Sequence, residues 1–209
     1  MAKSFDDLPF NARPDLTPYL IHLTRRSSRG TKRYSGYQNL RRILKSGTIW
    51  GSTSKGFVRG PNSAACFMDV PLASLKYVLT PENTDPEKPR YEPYGILVTK
   101  PTAYRKGCRP VLYLSADELD DLSIPTAELW RVVRFEVRTD DDWVSWLHER
   151  EWRCKGDFEL PESPLVAFVK NSNEAEDLMT ELVEHPNRFQ SRPRAVVPLS
   201  VLCQGFLPK

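Results

Sequence analysis

Two short segments far apart in this chain carry side chains that could do chemistry. The first is His22-Leu23-Thr24, which puts an imidazole and a hydroxyl on one face of an apolar strand. The second covers residues 149–153, where strand alternation would put Glu149 and Glu151 on one face, about 6.5–7 Å apart. One such acid could bind a sugar hydroxyl while the other orients a nucleophile, and an imidazole beside a hydroxyl suits a ribose edge or a carboxamide. If the two segments meet, they frame a pocket for a small charged ligand.

Each of these residues also has a purely structural interpretation. A histidine in an apolar strand is commonly a hydrogen-bonded core residue. Glu151 could pair with Arg150 or Arg153 in a ladder of ions on an edge strand. The pocket hypothesis therefore has a clear test. It fails if His22 and Glu151 lie on opposite sides of the molecule, or if Glu151 is enclosed in a closed ionic cluster.

The segment of residues 25–45 is strongly basic within a nearly neutral chain. It holds eight cations and no acid, whereas the whole chain has a formal charge of +3. Together with Tyr34 and Tyr37, these cations could hold a pyrophosphate or stack on a base, which makes the segment a candidate nucleic-acid contact. A solvated loop that keeps the protein soluble would explain the same composition. Neither a GxGxxG nor a GxxxxGK[ST] motif is present, so Rossmann and P-loop nucleotide binding have no support.

The elements that must position these residues do not alternate regularly. Residues 19–24 are predicted to form a strand, and a helix is predicted from an N-cap at Asn39 to a closing Gly47. Further strands are predicted at 64–70, 94–98, 110–114, 143–147, 149–153, 165–169 and 195–199, and helical segments at 71–79, 127–135 and 174–185. Because strands and helices do not strictly alternate, we predict an α+β fold with two packed sheets or one split sheet, not a doubly wound one. We expect a single domain over residues 1–209, with a lead-in at 1–18 and a core from about 19 to 205.

Cysteine spacing and hydropathy exclude several other classes. The cysteines are too far apart for zinc-ligand spacing and lie beside apolar runs, so we expect reduced thiols and no metal; they are Cys66, Cys108, Cys154 and Cys203. The chain lacks an apolar stretch near the roughly 20 residues of a membrane span, and residues 1–10 lack the apolar region of a signal peptide. We therefore expect a cytoplasmic protein with no membrane partner.

The order of several motifs resembles known bacterial families. His22-Leu23-Thr24, followed by Asn39-Leu40-x-x-Ile43-Leu44-x-x-Gly47, is similar to the opening strand and helix of the DarT-type ADP-ribosyltransferase toxins. The segments at 66–72, 94–96 and 110–113 resemble AbiGi-like abortive-infection proteins, and Glu151-Trp152-Arg153 is similar to an element of a broader bacterial family of unknown function. The resemblance covers roughly residues 19–160.

This resemblance implies a split β-sheet ADP-ribosyltransferase-like fold with peripheral helices, and NAD as a substrate. It implies that Glu151 is the catalytic glutamate, which bonds the ribose 2′-hydroxyl and stabilises positive charge as nicotinamide leaves. It also implies that Glu149 helps to choose the acceptor. The candidate NAD contacts are His22, at the nicotinamide ribose, with Thr24, Arg33, Tyr37, Trp50 and Thr53. The aromatic that stacks on nicotinamide remains open among Tyr34, Tyr37 and Trp50, and the supporting hydroxyl between Thr53 and Ser54.

Two functions from different classes follow. The first is an NAD-dependent ADP-ribosyltransferase of a bacterial phage-defence or toxin–antitoxin system, which modifies nucleic acid or protein; the basic segment favours nucleic acid. The second is a non-catalytic antitoxin or defence-system protein on the same fold, which binds a cognate toxin or antitoxin. In the second case, Glu151 would be structural and would pair with Arg153 or Arg150.

Overall fold

The computed structural model describes residues 13–54 and 57–203. Most of the predicted lead-in and the end of the predicted core, 204–205, lie outside these ranges. The strands are β1 Tyr19–Leu23, β2 Ser27–Arg29, β3 Lys32–Tyr34, β4 Thr48–Ile49, β5 Ala64–Met68, β6 Gly95–Thr99, β7 Arg109–Pro110, β8 Leu112–Leu114, β9 Val132–Arg134, β10 Glu136–Thr139, β11 Asp142–Val144, β12 Glu151–Lys155, β13 Phe158–Glu159, β14 Val166–Val169 and β15 Ala195–Pro198. The α-helices are α1 Gly36–Ser46, α2 Leu75–Val78, α3 Lys100–Arg105, α4 Ala116–Asp121, α5 Ser172–Glu184 and α6 Leu199–Leu202, and short 3-10 turns cover Leu72–Ser74, Thr126–Arg131, Leu147–Glu149 and Pro186–Arg188.

One mixed seven-stranded sheet organises the molecule. Its strand order is β15-β14-β6-β1-β5-β12-β7, and its neighbours are antiparallel except for the parallel pair β14 and β15. The other strands form two-stranded pairs: β2 with β3, β10 with β11, β4 with β13, and β8 with β9. The α+β prediction is therefore confirmed.

The sheet is weakly joined at its centre. β1 pairs with β6 along its whole length, from Tyr19 to Leu23, but it pairs with β5 only where Ile21 meets Met68. β5 is in turn fully paired with β12 on its other side. The single bridge between β1 and β5 therefore leaves a split in the middle of the sheet.

Apolar side chains cover both faces of this sheet. On one face, Leu20, Phe67 and Ile96 pack with residues of α1 and α5, including Leu44 and Leu178. On the other face, the buried residues are Ile21, Leu97, Phe168, Leu75, Leu79, Leu199 and Cys203. Ion pairs from Arg41 and Lys45 to Glu181 also join α1 to α5. These contacts hold the strands that border the split.

Helix α1 starts one turn earlier than its sequence indicated. Ser35 is the N-cap, and it forms a reciprocal capping box with Gln38, which satisfies two of the free N–H groups at the helix start. Asn39 lies inside the helix, where its side-chain amide donates to the Arg25 carbonyl at 2.7 Å. Gly47 ends the helix in the left-handed conformation, as predicted.

Other boundaries also differ from the predictions, and three of these differences lie within residues 127–153. The segment predicted as helical at 127–135 is a 3-10 turn followed by β9, because Val132 and Val133 form a parallel strand pair with β8. The strand predicted at 149–153 begins only at Glu151, because Arg150 has a φ of 45°, which extended strands do not adopt. The strand predicted at 143–147 is the shorter β11, which ends at Val144.

Candidate active site

A cavity of about 1170 Å³ lies at the split in the sheet. Its walls come from β1 and the residues after it, the middle of α1, β5, the segment of residues 87–91, β9 and the start of β12. His22 and Glu151 both line it, although one strand separates them in the sheet. The two sequence segments therefore meet at one cavity.

The structure brings only some of the candidate residues to this cavity. Those that line it are His22, Thr24, Trp50, Glu149 and Glu151. Arg33 and Thr53 are exposed and do not line it; Arg33 belongs to the β2–β3 hairpin. Tyr37 does not line it either, since its ring packs against Tyr94 at a centroid distance of 5.5 Å. Tyr34 is likewise absent from the walls, which leaves Trp50 as the cavity-lining member of the three candidate stacking aromatics.

His22 bridges the split between the two central strands. Its Nδ1 lies 2.8 Å from the Cys66 carbonyl oxygen, and its ring meets Phe67 edge-on. A carbonyl only accepts hydrogen bonds, so Nδ1 carries the proton and Nε2 of the neutral ring is an acceptor. Burial lowers the pKa of the His22 imidazole, although the hydrogen bond to Cys66 acts in the opposite direction. The imidazole that lines the cavity is therefore uncharged at neutral pH.

Thr24 and Asn39 fix the backbone that leaves β1. The buried Thr24 hydroxyl donates to the Gly36 carbonyl at 2.8 Å, so its proton is committed to the protein. The Asn39 amide donates to the Arg25 carbonyl and to the Ser27 hydroxyl at 2.9 Å. Thr24 and Asn39 thus shape this end of the cavity mainly by holding the basic loop in place.

One end of the cavity is cationic. Arg25, Arg26 and Arg42 line it together. The Arg42 guanidinium lies 4.2 Å from the Tyr34 ring centroid and 5.1 Å from that of Trp50. Stacking of this kind orients a guanidinium without neutralising it. This end can therefore receive an anionic group such as a phosphate.

Glu151 is buried and held by a bidentate ion pair. Glu151 is 8% exposed, and its two carboxylate oxygens lie 2.9 and 3.2 Å from Nε and Nη2 of Arg153. Arg153 is 3% exposed and also donates to the Trp130 carbonyl at 2.9 Å. This pair is the contact that the binding-protein alternative predicts. A carboxylate has about four acceptor positions, however, so the two bonds from Arg153 orient Glu151 without using its full capacity.

The Cys66 thiol lies beside this ion pair. Burial raises the pKa of the Cys66 thiol, and the negative charge of Glu151 raises it further. The thiol therefore stays protonated, which makes it a poor nucleophile. The described contact of His22 with Cys66 is to the backbone carbonyl and not to the thiol.

Glu149 reaches the cavity from a turn and not from β12. It ends the 3-10 turn Leu147–Glu149, so the predicted arrangement of two carboxylates on one strand face is wrong. Its Oε1 accepts a hydrogen bond from the Tyr91 hydroxyl and a charged one from Arg90 at 2.9 Å. Burial, followed by the nearby Glu149, raises the pKa of Tyr91, so the phenol keeps its proton and remains a donor.

Sequence reasoning missed the residues that hold Glu149. Arg90 and Tyr91 lie in a Pro- and Glu-rich stretch that is typical of a surface loop, and no spacing pattern marks them. The Arg90 guanidinium lies 4.4 Å from the Trp146 ring centroid, and Trp146 lies 6.4 Å from Phe57. All four residues line the cavity, so it has an aromatic and cationic rim beside Glu149.

The described part of the chain contains no group of three or more His, Cys, Asp or Glu side chains placed to hold a metal ion. Nor does any helix within residues 13–54 and 57–203 have the length and apolar character to cross a membrane.

Comparisons with known proteins give structural matches only. No protein-family model matches the sequence, and no curated protein matches it. Three solved structures of Thermus sp. 2.9 DarT are similar to the chain. The complex with ADP-ribosylated ssDNA has a TM-score of 0.48 at 13% identity and covers 88% of this chain and 95% of that chain. The NAD+ complex has a TM-score of 0.44 at 13% identity (86% and 95% covered), and the carba-NAD+ complex 0.43 at 15% identity (87% and 94% covered).

The lowered pKa of the partly buried His22 predicts a specific pH dependence of stability. Because the folded-state pKa lies below the unfolded value of about 6.5, the unfolded chain binds the proton more readily below that pH. The free energy of unfolding should therefore decrease as the pH falls from about 6.5 toward the lowered pKa. Thermal unfolding of the parent and of His22→Gln between about pH 7.5 and 5 measures this, and the variant should lose part of the slope. The exposed His148 provides the control: His148→Gln should keep the parental slope, and equal slopes for all three proteins would contradict the assignment.

Proposed function

We propose that the protein is an NAD-dependent ADP-ribosyltransferase. The observation that carries this proposal is the common cavity, in which an oriented buried carboxylate, Glu151, and a neutral imidazole, His22, face the same space. Ligand pockets usually measure about 300–1,000 Å³, so a cavity of about 1170 Å³ suits a ligand as long as a dinucleotide. The cationic end at Arg25, Arg26 and Arg42 would take the diphosphate.

The proposed reaction breaks the bond between ribose C1′ and the nicotinamide nitrogen. Nicotinamide leaves with the electron pair and becomes neutral, while positive charge develops on the ribose. Glu151 would stabilise that charge electrostatically, and a spare acceptor position of its carboxylate would accept a hydrogen bond from the ribose 2′-hydroxyl. Arg153 holds the carboxylate in one orientation before the substrate arrives. Such preorganisation is effective because the site needs no rearrangement as the charge forms.

His22 and Trp50 would complete the nicotinamide riboside site. With Nδ1 bound to Cys66, Nε2 of His22 can accept a hydrogen bond from a ribose hydroxyl. Trp50 supplies the stacking surface that lines the cavity. Thr24 acts by positioning the neighbouring loop. Arg33, Tyr37 and Thr53 do not border the cavity, so they are not part of the proposed NAD site.

Nucleic acid is the acceptor that the rim of the cavity fits best. Trp146 and Phe57 offer aromatic faces, and Arg90 offers a stacked cation, which is the combination that binds unpaired bases and their backbone. Glu149 beside this rim would take the proton that an acceptor N–H or O–H loses as its bond to C1′ forms. Both described contacts of Glu149 fall on Oε1, so Oε2 can face the acceptor. The biological setting would be a bacterial defence or toxin–antitoxin system.

The alternative function is a non-catalytic binding protein of the same kind of system. The Glu151–Arg153 pair supports it, since Arg153 already compensates the charge of that carboxylate, as a structural role requires. NAD binding separates the two functions, because a ligand that binds only the native state at 100 times its Kd stabilises it by about 2.7 kcal/mol. We expect NAD at millimolar concentration to raise the thermal midpoint and to release heat in calorimetry. Neither effect would occur with the non-catalytic protein.

Replacing Glu151 with Gln should abolish most of the ADP-ribosyl transfer. The amide keeps the shape of the carboxylate but loses its negative charge, and losing one such group typically lowers rates about 10²–10³-fold. Transfer of label from NAD to nucleic acid and to cell extract is the measurement. The exposed Glu162 gives a matched control, Glu162→Gln, which should keep full activity.

Since Glu151→Gln also leaves Arg153 buried without its counter-ion, the thermal midpoint of each variant must be measured alongside. A variant that is folded at the assay temperature and transfers label as fast as the parent would refute the role of Glu151.

Replacing Tyr91 with Phe should lower the transfer of ADP-ribose to the acceptor more than it lowers the cleavage of NAD. The variant loses one of two donors that orient Glu149, and a hydrogen bond to a charged group is worth about 1.5–3 kcal/mol. We expect transfer to nucleic acid to fall about tenfold, while hydrolysis of NAD by water changes little. The exposed Tyr77 gives the control Tyr77→Phe, which should behave as the parent. A parallel decrease of transfer and hydrolysis would show that Tyr91 does not act through Glu149.

A further inference from the structure

Two cysteines lie opposite each other at the edge of the sheet, away from the catalytic residues. β7 and β12 are antiparallel neighbours in which Trp152 faces Pro110 and Arg153 faces Arg109. Continuing this register by one residue puts Cys154 directly across from Cys108. Both thiols are reduced and buried, with exposures of 5% and 0%.

The hydrogen-bond pattern determines how closely these two residues approach. In an antiparallel pair, hydrogen-bonded and non-hydrogen-bonded positions alternate. The Val111 N–H donates to the Glu151 carbonyl at 3.1 Å, which makes that pair hydrogen-bonded. Counting two residues at a time, Arg153 and Arg109 occupy the next hydrogen-bonded position, so Cys154 and Cys108 occupy a non-hydrogen-bonded one. Pro110, which has no N–H, agrees with this phase because it also falls on a non-hydrogen-bonded position.

A non-hydrogen-bonded pair has the spacing of a disulfide. Its Cα atoms are about 4.5 Å apart, and its side chains approach more closely than in the other type of pair. Disulfides span Cα separations of about 4.4–6.8 Å, so this pair lies at the short end of the range. The two backbones therefore need little movement to allow a bond between the sulfurs.

The two thiols also differ in reactivity. The Cys154 Sγ lies 3.2 Å from the Lys106 carbonyl oxygen. The Cys108 thiol lowers the pKa of Cys154 by hydrogen bonding to it, and Arg109 and Lys106 lower it further. The pKa of Cys108 is raised by the same hydrogen bond and by burial. Cys154 is thus the better nucleophile of the two.

The edge of the sheet gives an oxidant a way in. β7 has only two residues and forms the end of the sheet, and residues 104–107, the end of α3 and the turn after it, are exposed. Because β7 pairs with β12 over only two residues, few hydrogen bonds hold this strand in place. Local opening of a short edge strand costs much less than global unfolding.

We propose that Cys108 and Cys154 are a redox modification site that forms a cross-strand disulfide on exposure to a peroxide. The Cys154 thiolate attacks one oxygen of hydrogen peroxide, which breaks the O–O bond, releases hydroxide and leaves a sulfenic acid. The Cys108 sulfur then displaces the hydroxyl from that sulfur. With the two thiol protons, the two hydroxides leave as two waters, and peroxide is the species reduced.

The bond would restrain the segment that builds the acidic side of the cavity. It would close the loop of residues 108–154, which contains Glu149, Glu151 and the Trp130 carbonyl that anchors Arg153. A cross-link stabilises a fold chiefly by restricting its unfolded chain. Oxidation should therefore raise the thermal midpoint, whether or not the chain is a transferase.

The test uses the full chain and reads the bond directly. The reduced protein is treated with hydrogen peroxide, alkylated with iodoacetamide in denaturant, digested with trypsin and analysed by mass spectrometry. We expect the intact mass of the oxidised protein to fall by two hydrogens. Among the peptides, we expect one that joins Cys108 to Cys154, and we expect full alkylation of Cys66 and Cys203. Dithiothreitol should reverse the change. Four alkylated thiols, or a sulfinic acid on Cys154 with Cys108 still alkylated, would overturn the proposal.

Two variants sharpen the test. Cys66→Ser should keep the cross-link, whereas Cys154→Ser should lose it and should lose the rise in thermal midpoint on oxidation. If peroxide raises the midpoint equally in Cys154→Ser, the stabilisation does not come from this bond. A cross-link between Cys108 and either other cysteine would also reject the assignment, and neither result depends on NAD.

Discussion

The buried ion pair between Arg153 and Glu151 is the interaction on which this structure depends. A guanidinium that is 3% exposed must be paired and hydrogen-bonded, because an unpaired buried charge costs several kcal/mol. Glu151 supplies the charge, and the carbonyl of Trp130 supplies a further acceptor. Arg153 therefore joins β12 to the 3-10 turn Thr126–Arg131. Removing either partner would leave the other uncompensated, at a cost of about 3–5 kcal/mol.

The same pair defines the site. Arg153 holds the Glu151 carboxylate at the wall of the cavity and leaves acceptor capacity unused. His22 does the equivalent work on the other side of β5, where its Nδ1–H replaces a missing ladder bond and its Nε2 remains an acceptor. Each of the two residues, Glu151 and His22, is thus held at the cavity wall by a contact that also stabilises the sheet. In this protein the structural and functional interpretations of these residues are compatible.

Both signs of charge line the cavity. Arg25, Arg26 and Arg42 are among its cations, whereas Glu149 and Glu151 are each paired with an arginine. A ligand that carries a phosphate group and a developing cation would meet both kinds of charge. The stacked Arg90 and Trp146 add a surface that suits a planar group next to Glu149. This complementarity supports a transferase that binds its donor and its acceptor side by side.

Local patterns in the sequence predicted the elements that depend on local interactions. The apolar alternation of residues 19–24, the Gly47 helix end and the amphipathic α5 all appear in the structure, since capping, periodicity and backbone conformation act over a few residues. Local signals failed at Arg150, whose left-handed φ ends the strand early and turns Glu149 away from the face it was expected to share with Glu151. They also failed at the start of α1, where Ser35 and not Asn39 is the N-cap.

By itself, the sequence determined the α+β class, the pairing candidates His22 and Glu151, and the basic character of the loop after β1. Only the tertiary structure decided that these residues share a cavity, that Arg153 binds Glu151, and that Arg90 and Tyr91 hold Glu149. The reason is that such contacts join residues far apart in the chain, and their formation depends on strand order and register. The single bridge between β1 and β5, which opens the cavity, is a property of the assembled sheet and of no single segment.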